Sequence, residues 1–202
     1  TDTFSAVDFN RNGAYTHVDI TLDAHGSAFI IFKQPDNSIQ KAAIEQQSVP
    51  INAKKWHVAF LENKVEIDTD HLFDWSTSTD EHIKFYSGHA HYATTFTLKQ
   101  KADGRTFLRL NGLHDIARVA VNGRECGIAW TAPYEVDITD AVKRGKNTLD
   151  IVVVNTWANA LRGADQGKAP YEGIWTNARY RMKGTALLPA GLLTTPDIII
   201  KH

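Results

Sequence analysis

The segment Asn155-Thr-Trp157-Ala-Asn159-Ala-Leu-Arg162-Gly-Ala-Asp165, followed by Tyr171, Glu172 and Trp175, concentrates the residue types that hold a sugar. A pyranose offers apolar C–H faces and a ring of hydroxyls, so a receptor needs an aromatic plate beside amide, guanidinium or carboxylate groups. Asn155, Trp157, Asn159, Arg162, Tyr171, Glu172 and Trp175 supply both kinds and are the candidate sugar-binding residues. A structural reading of the same residues stands beside this one. Large aromatics fill sandwich cores, which would bury Trp157 and Trp130, while Asn155 and Asn159 would satisfy backbone groups where a strand ends.

Other chemistries have less support. Glycoside hydrolysis needs two carboxylates roughly 5–10 Å apart, one protonated and one ionised. Asp137 and Asp140 are the closest pair in a readable context, and that context fits capping of a short turn. His89 and His91 stand two apart on a strand-like run and so share a face, but the sequence places no further metal ligand beside them. Asn111 and Asp115 could join a loop calcium site, which takes about six to eight oxygens that the sequence does not assemble. No other cofactor is expected, and the metal content stays open. Ser87-Gly88 lacks the Gly-x-Ser-x-Gly of a nucleophile elbow, so Gly88 is read as easing entry into a strand. Gly123-Arg-Glu-Cys-Gly127 lacks the spacing and the following helix of a phosphate loop. No catalytic residue is assigned.

Such groups need a scaffold, and the sequence reads as antiparallel sheet. Alternating or Val-, Ile-, Phe- and Tyr-rich runs predict strands at residues 16–22, 28–33, 56–61, 89–98, 106–110, 118–121, 125–130, 134–138, 148–155, 177–183 and 196–201. Long helical periodicity is absent. The Asn122-Gly123 pair suits a two-residue hairpin whose central residues both take positive φ, so the runs on either side should pair. Residues 137–145 carry a cap-capable Asp or Thr, basic residues and a terminal Gly, which predicts one helical turn linking two strands.

The 202 residues include 22 Lys and Arg against 23 Asp and Glu. A formal net charge of −1 gives no strong field to gather phosphate backbones, so nucleic acid is not an expected partner. The single Cys126 excludes an internal disulfide and is read as a small buried hydrophobe. No apolar run approaches the ~20 residues that span a bilayer, and Thr1–Asp8 lacks the features of a signal peptide. The chain is expected to be soluble, or a mature or excised piece of something longer, without membrane insertion. Residues 34–55 are loop-like, which puts a boundary near residue 53. Residues 1–53 then hold a few extra strands that pad the main sandwich or end a preceding β domain, and 54–202 form the main sandwich.

An ordered series of motifs carries a resemblance over residues 54–200. It runs through Trp75, Lys84-Phe-Tyr-Ser-Gly88-His-Ala-His-Tyr92, Leu110-Asn-Gly-Leu-His-Asp-Ile-Ala117-Arg-Val-Ala-Val-Asn-Gly123 and Gly127-Ile-Ala-Trp130. It continues in Thr131-Ala-Pro-Tyr134, Gly145-Lys-Asn-Thr-Leu149, Val154-Asn-Thr-Trp157-Ala-Asn159 and Pro189-Ala-Gly-Leu-Leu193. The series resembles the sugar-binding-type β-sandwich of glycoside hydrolase family 2, and most closely the C-terminal region of family 106 α-L-rhamnosidase-like proteins. Gly26-Ser-Ala-Phe-Ile-Ile-Phe32 resembles the strand that precedes this domain in the same proteins. Ala190 and Thr194-Thr195 depart from the family's more usual Ser and Gly.

The resemblance implies an all-β, galactose-binding-like jelly-roll sandwich attached to the catalytic domain of a parent enzyme, with periplasmic or secreted placement. A (β/α) barrel takes on the order of 250 residues with repeated helices, so this chain holds none. The expected function is a non-catalytic accessory or carbohydrate-binding domain whose partners are that catalytic domain and carbohydrate. The alternative is a free-standing lectin-like carbohydrate-binding module, which would keep an open aromatic platform. A small autonomous hydrolase would instead need two carboxylates with displaced pKa values in one cleft.

Overall fold

The computed structural model describes residues 4–22, 26–33, 46–99, 104–178 and 186–201. Fourteen strands follow in chain order: β1 (Phe9–Asn12), β2 (Tyr15–Val18), β3 (Gln46–Pro50), β4 (Trp56–Phe60), β5 (Val65–Thr69), β6 (His89–Leu98) and β7 (Arg105–Arg109). Then come β8 (Leu113–His114), β9 (Ile116–Val121), β10 (Arg124–Ala129), β11 (Glu135–Asp137), β12 (Gly145–Val154), β13 (Gly191–Leu192) and β14 (Asp197–Lys201). Two short helices are present, α1 (Glu81–Lys84) and α2 (Ala158–Asp165), with a 3-10 turn at Trp75–Thr77.

The strands form an all-β sandwich. One sheet has six strands in the order β10-β9-β12-β6-β4-β5, and the other has four in the order β11-β7-β14-β3. The reason is legible in the alternation. β6 turns Ala90, Tyr92, Thr94 and Phe96 inward, β12 turns Leu149, Ile151 and Val153, and β9 turns Ala117, Val119 and Val121. All ten of β12's residues pair with β6, and six of them pair with β9 on its other side, so β12 is the spine of the larger sheet. Each fully buried aliphatic or aromatic side chain contributes about 1.5–3 kcal/mol.

An aromatic nest closes the core at one end. Trp75 Nε1 donates to Tyr92 Oη at 2.7 Å, and the Tyr92 oxygen also accepts the Leu192 N–H at 3.2 Å. The two rings stack at 14°, while Phe60 meets Trp75 and Tyr86 edge-on. Burial pushes the Tyr92 hydroxyl up, so it stays a neutral donor and acceptor.

Several sequence expectations are met. β9 and β10 pair antiparallel across Asn122 (φ 53°) and Gly123 (φ 77°), with a bulge between Glu125 and Gly127. Residues 138–142 make a single turn closed by the Ala141 and Val142 N–H groups on Ile138 O. The buried Asn147 side chain holds that turn through Lys143 N, Lys143 O and Gly145 O.

Other expectations need correction. The loop expected at residues 46–50 is β3, an edge strand that takes its partners from β14 across the whole of its length. Its weak apolar content misled because an edge strand is held by backbone pairing, and Pro50 is tolerated at its end. Near residue 53, where a boundary is expected, the chain passes from β3 to β4, and the pairing of β3 with β14 accords with residues that pad the sandwich. Residues 28–33 form no strand and stay exposed, and 177–183 lie mostly outside the described residues. Cys126 is half-buried against the core edge.

Candidate functional site

The candidate sugar residues gather where β12 ends and the chain turns into α2. Asn155 is buried, and its side chain serves the backbone opposite: Oδ1 accepts Gly88 N–H at 2.9 Å and Nδ2 donates to Tyr86 O at 3.1 Å. Trp157 stands at the N-cap position of α2 with no side-chain cap bond and half its surface exposed (50%). Asn159 is buried and clasps Leu188 in both directions, donating to its carbonyl at 2.7 Å and accepting its N–H at 2.9 Å. Thus both asparagines have their amide groups engaged with backbone.

Arg162 places one guanidinium nitrogen 3.5 Å from Asn159 Oδ1, while its Nε is buried without a hydrogen-bond partner. Tyr171 rests edge-on against Tyr86, with ring centroids 6.1 Å apart, and its hydroxyl donates to Ser87 O. Burial, then the Glu62 charge, pushes that hydroxyl up. Glu172 is exposed, and Trp175 is 70% exposed. Trp175, Leu161, Ala164, Asp165, Ile174 and Thr176 line an open groove of about 230 Å³. The structure therefore brings Trp157, Trp175 and Glu172 to the surface and sets Asn155, Asn159 and Tyr171 beneath as brackets. The core aromatics are Trp56, Trp75, Tyr86, Tyr92, Phe60 and Phe96, whereas Trp130, like Trp157, lies at the surface.

Sequence reasoning missed the carboxylate that organises this end. Glu62 accepts Tyr86 Oη–H and the His89 N–H, and meets His89 Nδ1 at 2.7 Å. Its partners are 24 and 27 residues away, so no local pattern marks it. Gly88, at φ 143°, admits the carboxylate, because a Cβ there would fall 2.4 Å from Glu62 Oε2. Partial burial pushes the Glu62 carboxyl up, but the hydrogen bonds from Tyr86 and His89 outweigh it and hold it below the ordinary Glu value. A lowered folded-state pKa gives stability that is present above the unfolded value of 4.5 and lost as pH falls through the folded value. Urea midpoints measured from about pH 6 to pH 3 should therefore decline, and Glu62→Gln should flatten part of that decline. An unchanged slope in the variant would contradict this assignment.

No metal centre assembles among the described residues: no group of three His, Cys, Asp or Glu side chains converges. His89 is engaged by Glu62, and His91 Nε2 meets Asp150 Oδ1 at 3.1 Å. Asn111 donates to Asp197 at 2.7 Å, while Asp115 accepts Thr156 N–H at 3.0 Å. A second cleft of about 320 Å³ lies by Asp137 and Asp140, each of which faces an arginine, Arg105 at 2.6 Å and Arg124 at 3.3 Å. Burial raises the Asp137 carboxyl, yet Thr139 and Arg105 bring it below the usual value, the opposite of what a general acid needs. Asp137 Oδ1 accepts Thr139 N–H at 3.0 Å, which is the turn-capping role read from the sequence.

Residues 40–186 match the glycosyl hydrolase 2 galactose-binding-like domain family. The chain belongs to that family. This galactose-binding-like domain is 32% identical over 148 residues to a Formosa agariphila protein that carries a provisional beta-glucuronidase name. The match covers 70% of the domain chain and 13% of the Formosa protein. Among solved structures, a rhamnosidase from Novosphingobium sp. PP1Y superposes with a TM-score of 0.73 at 30% identity, covering 96% of this chain and 19% of its own. A beta-D-glucuronidase of Dictyoglomus thermophilum superposes at 0.50 with 19% identity, covering 77% of this chain and 28% of its own, and so shares the fold. The galactose-binding-like chain thus spans about a fifth of the rhamnosidase and less of the Formosa protein.

Proposed function

We propose that this chain is a non-catalytic accessory domain of an α-L-rhamnosidase-like glycoside hydrolase of family 106, set at the C-terminal end of a periplasmic or secreted enzyme. The observation that carries this reading is the likeness to the Novosphingobium rhamnosidase, which takes in 96% of this chain and only 19% of that enzyme. The domain packs beside a catalytic barrel and presents the exposed Trp157, Glu172 and Trp175 to carbohydrate. Trp175 beside the groove offers an apolar plate, and the unpartnered Arg162 Nε is a donor that a sugar hydroxyl or a rearranged loop would satisfy. The buried asparagines and Tyr171 keep this rim rigid.

A glycan array, calorimetry with calcium and with chelator, and an aryl-glycoside panel that includes rhamnosides and glucuronides test the reading. The expected result is no turnover and weak sugar affinity, millimolar or poorer, indifferent to the chelator. Trp175→Ala should weaken that binding roughly two- to tenfold, the worth of one aromatic contact, and leave the thermal midpoint unchanged. Turnover abolished by one carboxylate substitution would overturn the proposal. Tight binding to a defined oligosaccharide, lost in Trp157→Ala with the fold intact, would instead make the domain a lectin-like module, a reading that the exposure of Trp157 and Trp175 also favours.

A further inference from the structure

The outer face of the six-stranded sheet is polar at one end and apolar at the other. β12 first turns Lys146, Thr148 and Asp150 outward, as a water-facing strand does, and then Val152 and Val154. Its run Ile151-Val152-Val153-Val154 is therefore apolar on both faces, the composition of a strand that is covered on both sides. The register carries that apolar end across five strands. Val154 pairs with His89 on one side and with Ile116 on the other. Leu61 N–H donates to His89 O at 3.0 Å, one step beyond the last β4–β6 pair. Trp130 follows Ala129, the partner of Ala117, which brings it level with Ile116.

Leu61, Ile116 and Trp130 are 53%, 45% and 70% exposed, and Ile128, two residues before Trp130, is 58% exposed. Four strand spacings make the row about 19 Å long and the two-residue step to Val152 and Ile128 makes it about 7 Å wide, on the order of several hundred Å² with its side chains. Single exposed apolar residues are ordinary, whereas a contiguous patch of this size marks an interaction site.

The chemistry of the row identifies what covers it. Leucine, valine and isoleucine offer nothing to a sugar hydroxyl, so the occupant is an apolar protein surface. His89 is the polar member, and Glu62 holds its Nδ1 at 2.7 Å, so a covering surface has only Nε2 left to satisfy. A stable complex of two free molecules takes roughly 800 Å² from each, more than this row supplies, whereas a neighbour tethered in the same chain, at an effective concentration of about millimolar, needs less. The relatives have room for such a neighbour. The match takes 19% of the Novosphingobium rhamnosidase and 13% of the Formosa protein, which leaves four-fifths or more of each outside it.

We propose that the row Leu61, His89, Val154, Ile116 and Trp130, with Ile128 beside it, is the seam by which this domain docks onto an apolar surface of an adjoining domain in a longer glycoside-hydrolase-type chain. The proposal rests on the accessory-domain reading and names the face that makes the contact. β12 leads from Val154 in the row into Asn155 and Trp157, so docking sets the candidate sugar rim beside the seam.

Hydroxyl-radical footprinting tests it, comparing the 202-residue chain with the same sequence inside its full-length natural protein. Oxidation of Leu61, Ile128 and Trp130 should be at least about fivefold slower in the long protein, as at the water-excluding centre of an interface. His57, at the polar end of the same face and 46% exposed, should keep its rate. The double variant Ile128→Lys, Trp130→Lys should return Leu61 in the long protein to its short-chain rate, and Leu61→Lys should do the same for Trp130 from the other end of the row. All three substitutions fall on exposed positions, so the short chain should keep its thermal midpoint within about 2 °C. Equal rates in the two settings would overturn the proposal. So would protection of the row in the short chain that grows with protein concentration, which would assign the face to a second copy. These rates involve neither sugar nor turnover, so aryl-glycoside turnover by the short chain, which would sink the accessory-domain reading, is told apart from failure of the seam.

Discussion

Gly191→Ala is expected to lower stability by about 2–6 kcal/mol, combining about 1–3 for the backbone strain and about 1–3 for overpacking. Gly191 sits at φ 98°, and a Cβ built there would fall 2.4 Å from Trp75 Nε1 and 2.5 Å from Trp75 Cε2. Trp75 has nowhere to retreat. Its indole donates to the Tyr92 hydroxyl and packs against Phe60 and Tyr86, and the Trp75 backbone N–H donates to Ala190 O at 3.0 Å. A domain of this size should lose roughly 5–20 °C of thermal midpoint, with altered near-ultraviolet circular dichroism from the displaced indole. A midpoint within about 2 °C of the parent would show that this end of the core is looser than its geometry implies.

Asn155→Ala comes next in expected size. The substitution strips partners from the Gly88 N–H and the Tyr86 carbonyl together, both at buried positions. Stranding buried polar groups should cost about 2–4 kcal/mol, visible as a lower urea midpoint with little change in slope. Asn155→Asp keeps the acceptor for Gly88 but sets a buried carboxylate against the Tyr86 carbonyl, so it should be no more stable than the alanine variant. The comparison separates bracket from sugar ligand: a bracket lowers stability, whereas a ligand lowers affinity at unchanged stability. A stable Asn155→Ala protein with diminished sugar binding would return Asn155 to the binding surface.

The sheet scaffold was largely legible before any coordinates. β4, β6, β9 and β12 are half-buried strands with a period of two, which is the signal that sequence reports most directly. Asn122-Gly123 named its hairpin because few residue pairs tolerate two positive φ values. β3 and β5 were not anticipated. Both are five-residue edge strands paired on one side only; β3 has little apolar content, and β5 alternates over just two apolar residues, Val65 and Ile67. α2 has no sequence signal of its own, since its eight residues span about two turns and its buried positions include Asn159 and Gly163. Gly163 is required there by Phe85 and the Lys168 carbonyl, which a Cβ would meet at 2.8 and 2.7 Å.

Residue chemistry alone nominated one cluster from Asn155 to Trp175, carried by one strand end and the segment that follows it. Which of those side chains meets water was decided by tertiary structure. Asparagine is equally able to hold a sugar hydroxyl or a backbone amide, and the choice is made by what folds opposite it: Tyr86, Gly88 and Leu188, at sequence separations of 69, 67 and 29 residues. The same holds for tryptophan. Trp75 and Trp175 are chemically identical, yet one is enclosed by Tyr92 and Gly191 while the other borders an open groove, a difference set by long-range packing that no local pattern encodes.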